Sequence, residues 1–251
     1  MQADIFHRNR QTVRPSFISC ATAILVAAVL ATASPVSAFA QAVPGGCGSL
    51  ANAFGPFDYR ADKYIRETTY GSHEAQLRIV EGAHFTPAVE ALIRGTSGSI
   101  FGDLNYTLRA FPNHHRALLS MTTLAKREKS GIPNDSLNSN DCYYQRAIAW
   151  RSDDNIVRML YAEYLVGKAR NGEAEQQLLF AANQAGSNAF TLNNIGLIYF
   201  DMKNYDKAIE FARKAIQLGL ETPTVKEQLK SVGRWTEPAD STTVGPTNAL
   251  Q

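Results

Sequence analysis

The chain has 251 residues, with 25 Lys and Arg against 23 Asp and Glu and a formal net charge of +2. Such an even balance, with no clustered basic run, gives no electrostatic reason to expect nucleic-acid binding.

The leading residues differ from the rest. Arg8, Arg10 and Arg14 precede an apolar run from Phe17 to Ala33, and the small-residue string Ala38-Phe39-Ala40 follows. This order is the three-part layout of a secretory signal peptide over residues 1–40. Cleavage is expected after Ala40, with Ala38 as the second choice. The alternatives are an uncleaved anchor, although the run is shorter than the ~20 residues of a bilayer span, and a lipoprotein, for which Cys20 is too early and Cys47 poorly preceded. Removing three Arg and one Asp with residues 1–40 leaves 22 basic and 22 acidic residues, so the mature chain is formally neutral. No second apolar stretch of membrane length follows, which predicts a mature part that is soluble and periplasmic or secreted. Cys47 and Cys142 then remain as an even pair in an exported chain, the usual setting of a disulfide, with two unrelated thiols as the alternative.

Residues 41–85 read as an irregular N-terminal cover. Gly and Pro punctuate it at Pro44-Gly45-Gly46 and Gly55-Pro56, and Phe54, Phe57 and Tyr59 supply its packing groups. Helical signals begin at Thr86, a good N-cap, with Pro87 as first helical residue and Glu90 in an acidic first turn. Gly95, Gly98 and Gly102 break that pattern, and a second apolar-periodic run with Leu104, Leu108 and Phe111 completes a first hairpin. A third helix is predicted over 113–126, with Leu118, Met121, Thr122 and Ala125 at packing positions. Its partner waits until 141–150, because residues 129–140 carry Gly131, Pro133 and several Asn and Ser, a loop signal. Hairpins of 155–167 with 173–184 and of 189–202 with 205–218 follow. Thr222-Pro223 opens a last helix to about Arg234, and the polar tail 236–251 reads as disordered.

A fixed echo runs through this order. Ala147, Ala181 and Ala215 are 34 residues apart, Ala174 and Ala208 repeat the interval, and Gly196 answers Ala162. Such a period marks a stacked array of helical hairpins, in which small residues allow close helix approach and large ones fill the hollows beside them. Leu192, Ile195, Gly196 and Tyr199 followed by Tyr205, Ala208 and Ala215 resemble the tetratricopeptide repeat family. The resemblance is close over 141–220, loose over 86–140 and absent from the N-terminal segment. In the last unit Ala212 replaces the family's second-helix aromatic, with Phe211 beside it. The chain as a whole also resembles a group of exported proteobacterial repeat proteins that share a Gly-Pro-Phe-Asp-Tyr start and the run Ala110 to Arg116. The fold class implied is all-α, a short superhelical array of hairpins over 86–235 with an irregular N-terminal cover and a C-terminal capping helix.

In that family the first helices line a concave groove. The resemblance places Arg116, Leu119, Thr123, Ile156, Met159, Glu163, Phe190, Asn193, Leu197 and Asp201 on it, apolar groups with scattered polar ones that suit a peptide or partner helix. Asn193 and Asn194 alone do not supply the family's carboxylate clamp, so that ligand is not carried over. Packing of these residues against the loop or the N-terminal segment is the plain alternative. The function implied is a non-enzymatic adaptor for a protein or peptide partner in the cell envelope, with no cofactor or metal. Two other readings stay open: a structural part of a secretion, pilus or polysaccharide-export complex, and an envelope enzyme using His73, His84 and nearby acids. His84 could pair with Glu81 and a distant carboxylate, whereas His114 and His115 point about 100 degrees apart on a helix start and cannot easily share a metal. No phosphate loop or nucleophile elbow is present.

Overall fold

A computed structural model of the protein describes residues 43–60, 73–128 and 139–237. The expected signal peptide, most of the 129–140 loop and all but the start of the tail lie outside these residues. Contacts divide the chain into units of 1–38 and 39–251, and the second is described here.

The described residues form a short 3-10 turn at Pro44–Gly46 and ten α-helices, with no strand among them. In order these are α1 (His73–His84), α2 (Pro87–Glu90), α3 (Ile100–Ala110), α4 (His115–Arg127), α5 (Asn140–Trp150), α6 (Asn155–Val166), α7 (Asn171–Ala185), α8 (Ala189–Asp201), α9 (Tyr205–Gln217) and α10 (Thr224–Ser231). Neighbours in sequence pack as hairpins, most extensively α6 with α7 and α8 with α9, and the first helices α4, α6 and α8 touch in turn. The architecture is a tetratricopeptide-like helical array.

The small residues of the echo sit where the helices cross. Ala147, Ala162, Ala174, Ala181, Ala208 and Ala215 are each fully buried. A Cβ on Gly196 would stand 3.3 Å from both methyl groups of Val225 and 3.4 Å from the Ala208 carbonyl. Glycine there admits α10 as a lid on α8 and α9, with Val225 and Leu229 fully buried beneath it. Between these contacts Leu165, Leu178, Ile195 and Tyr199 are also buried, each aliphatic side chain stabilising the fold by roughly 1.5–3 kcal/mol.

The backbone repeats as faithfully as the side chains. Ala169 and Lys203, 34 apart, both adopt left-handed φ, 59° and 61°. Each ends a first helix, and each following N–H closes the same bond, Arg170 to the Leu165 carbonyl and Asn204 to the Tyr199 carbonyl. The turns between hairpins match too: His114, Asp154 and Asn188 cap α4, α6 and α8, each accepting the N–H three residues on. Their spacings are 40 and then 34 residues, so the stretched unit carries six extra residues between α4 and α6.

Four expectations are corrected. Residues 73–84, placed in the irregular segment, form α1, whose Leu77 and Val80 pack on Tyr59 and Phe111. The helix opened by Thr86 is only α2; Leu92 turns left-handed at φ 57°, and α3 packs on α1 and α4 more than on α2. Gly102, read as a breaker, lies inside α3, where Ser99 caps the helix by accepting the Gly102 N–H at 3.0 Å. The last helix is capped by Pro223 with no side-chain bond and is shorter than expected, although the chain beyond it still packs Trp235 on the core. In the unit where Ala212 replaces the aromatic, Phe211 fills the space, stacked on Tyr199 at 5.5 Å.

Candidate partner-binding face

The N-terminal segment lies across the turns between hairpins. Phe57 donates its N–H to the Ala110 carbonyl at 2.8 Å, and Trp150 Nε1 donates to the Phe57 carbonyl at 3.1 Å. Gly55 sits at φ 105°, where a Cβ would come within 2.5 Å of the Ala110 oxygen, so only glycine lets the segment pass this closely.

Asn113 joins the pieces. Its Oδ1 accepts the Tyr59 N–H at 3.0 Å, and its Nδ2 donates to Asp58 at 2.7 Å and to Asp154 at 3.0 Å. Arg60 and Arg151 pair with Asp58, and Arg60 reaches Asp153. Burial pushes the Asp58 carboxyl up, but the Arg60 and Asn113 hydrogen bonds outweigh it and hold the group well below the usual carboxylate range. Asp154 is likewise burdened by burial, yet held below its ordinary value by His115 and Asn113. The Gly-Pro-Phe-Asp-Tyr start and the Ala110 to Arg116 run are thus two halves of one structural clasp.

The histidines belong to this clasp and its surroundings. His114 is fully buried; its Nδ1 accepts the Ala117 N–H at 3.1 Å and its Nε2 faces Glu81 at 3.1 Å. Burial lowers its pKa against the pull of Glu81. His115 turns the other way, to Asp154 at 2.9 Å. His84 meets a distant carboxylate, Asp103, at 2.9 Å, while Glu81 faces His114 instead, and Asp103 is already engaged by the N–H groups of Thr96 and Ser97. The His73 side chain is outside what is described. Among the described residues no group of three or more His, Cys, Asp and Glu is placed to hold a metal ion.

The clasp leaves a first-helix face open. Leu119 of α4, Ile156 of α6 and Phe190 of α8 are 51%, 45% and 70% exposed. Arg116 flanks them, tied to Glu90 and Glu81 of the first hairpin. Glu163 and Asp201 are close enough to interact: burial first, then the Asp201 charge, raise the Glu163 pKa against Lys126. Thr123 is turned inward to its own helix, donating to the Leu119 carbonyl at 2.9 Å, and Leu197 is half-buried. Two expected groove residues are elsewhere. Met159 is buried in the core, and Asn193 is buried with its Oδ1 accepting the Val225 N–H at 3.2 Å, a bond that seats α10. Their positions carry residues equivalent in the period to Leu119, but the tighter stacking of α6, α8 and α10 closes over them.

Two features escaped the sequence reading. Lys126 joins the charged end of the face, and a tyrosine seam links the second and third hairpins. In the seam Tyr144 stacks on Tyr161 at 5.0 Å, and Asp141 accepts from the hydroxyls of Tyr161 and Tyr164 and from Arg170. Only the crowding of tyrosines in α5 and α6 signals it in the sequence.

A stack of helical hairpins with an open first-helix face is the structure of an interaction module. The family model of the tetratricopeptide repeat matches residues 189–218, which are α8 and α9. No curated protein and no solved structure matches the chain. The repeat is a protein-interaction unit, and the class it defines is an adaptor or scaffold.

Proposed function

We propose that the protein is an exported adaptor that captures a segment of a protein partner on the face of α4, α6 and α8. The observation that carries this is the exposed apolar line of Leu119, Ile156 and Phe190, edged by Arg116 and Lys126 and by Glu163 and Asp201. Large aromatic and aliphatic anchors in the open, with charges at the rim, are what an interface core needs. The described part of the N-terminal segment, residues 43–60, is bound at the turns instead.

An envelope setting is supported by the Arg, apolar and small-residue order of residues 1–40 and by the Cys47–Cys142 disulfide, with Cα atoms 5.0 Å apart, which suits an oxidising compartment. The neutral charge balance supports a protein rather than a nucleic-acid partner. Among the described residues no helix is long and apolar enough to cross a membrane.

Photo-crosslinking from position 190, with position 180 on α7 as control, tests the face. One defined adduct at 190 is expected, abolished by Ile156→Ala with Leu119→Ala; equal labelling from 180 would refute the assignment. N-terminal sequencing of the exported protein tests its processing, with a start at Gln41 expected and an intact Met1 contradicting release.

A further inference from the structure

The first-helix face changes character along its length. Arg116, Ile156 and Phe190 are each the second residue of their helix, in α4, α6 and α8, and form a row at the start of the face. Glu163 follows Ile156 by seven residues and Asp201 follows Phe190 by eleven, which at about 1.5 Å per residue sets the two carboxylates about 10–17 Å further along.

That far end holds charge the array itself does not use. Glu163 sits in the last turn of α6 and Asp201 is the last residue of α8; neither turn contains a basic residue, whereas the last turns of α3, α4, α9 and α10 each do. A carboxylate at the negative end of a helix dipole destabilises the helix. Both side chains are exposed, and neither makes a hydrogen bond or an ion pair with a described residue. Desolvation, and then the Asp201 charge, push the Glu163 pKa up, with Lys126 opposing them. Lys168 and Lys203, close by in sequence, lie over the rings of Tyr164 and Phe200 instead. The face thus opens on apolar anchors and closes on two anions without a paired cation.

We propose that the partner segment captured on this face carries a lysine or arginine that pairs with Glu163 and Asp201, set about 10–17 Å from the apolar side chains that cover Ile156 and Phe190. This rests on the reading of the face given above and adds the charge the partner must bring. In an extended segment, rising about 3.3 Å per residue, the spacing is about three to five residues. A cation there meets both carboxylates without displacing any partner they now have, and exclusion of water from the complex strengthens the pairing. The same two anions repel an acidic segment, so the end of the face selects as well as binds.

The test is panning of the full chain, at neutral pH in low-salt buffer, against a phage library of random dodecapeptides, with the enriched peptides then synthesised and titrated by calorimetry. Enriched peptides are expected to combine an aromatic or large aliphatic residue with Lys or Arg about three to five positions away. Glu163→Gln with Asp201→Asn is expected to weaken their binding about three- to tenfold, and to melt no lower than the parent because it removes anions from helix C-termini. Glu221→Gln, in the loop between α9 and α10, is expected to leave affinity unchanged. Enrichment of apolar peptides without Lys or Arg, enrichment of acidic ones, or unaltered affinity in the double variant would each overturn the proposal, and loss of binding in Phe190→Ala would show that the face itself still stands. Peptides indifferent to Phe190→Ala, or no enrichment at all, would overturn the face and the proposal together.

Discussion

At the scale of single residues, the clasp around Asn113 is where a small change should cost most. One amide there serves Tyr59, Asp58 and Asp154 together. Asn113→Ala strands a buried N–H and withdraws a donor from two carboxylates, so a loss of about 2–4 kcal/mol is expected in urea unfolding. Linkage sets the response to pH. His114 has its folded pKa lowered, so the stability tied to its neutral form is complete above the unfolded value near 6.5 and is lost as pH falls below it. Asp58 and Asp154 are lowered too, so their contribution is complete above about pH 4 and is lost further down, toward their folded values. Thermal melts between pH 8 and pH 3 should show two descending steps, and His114→Gln should remove the upper one alone. A flat profile from pH 7 to 5 would contradict the role of His114. Lys203, held at φ 61°, gives an opposite case: Lys203→Gly is expected to stabilise by about 0.5–1 kcal/mol by relieving the left-handed strain.

At the scale of elements, periodic spacing made the last two hairpins readable almost residue for residue. Their small residues are buried where the interval of 34 placed them. The first hairpin was not readable in the same way. Among its described side chains α1 offers Leu77 and Val80 as inward anchors, and it contains Gly82, so no long apolar stripe announces it, and its burial comes from Tyr59 and Phe111 far off in sequence. Thr86 and Pro87 carry good start signals, yet α2 ends after one turn because the chain must bend at Leu92 to reach α3. Local capping chemistry reports where a helix can begin, while its length is decided by what it packs against. The seating of α10 can be tested directly. Gly196→Val drives a branched side chain into Val225 and the Ala208 carbonyl, and about 1–3 kcal/mol should be lost. Retained stability with α10 released would show as a local gain in amide exchange over 224–231.

At the scale of the whole molecule, the Cys47–Cys142 bridge spans 95 positions and ties the N-terminal segment to α5. In the chain-entropy model, closing so long a loop contributes about 4–5 kcal/mol. Reduction should therefore lower Tm by many degrees, whereas an unchanged melt would show that the clasp alone holds the segment. The face formed by α4, α6 and α8 was only partly legible. Phe190, Ile156 and Leu119 stand open as the repeat positions imply, but Met159 and Asn193, at equally groove-like positions, are buried. What the sequence determined by itself is what repeats at short range: the helices, the spacing of small residues between them, and so the hairpin array. What only the tertiary structure decided is what depends on distant partners, namely the clasp in which Asn113 joins Asp58 to Asp154 and the burial of two groove positions. Periodicity reports which side of a helix is apolar, but which of those groups reach water is settled by the contacts that close over them.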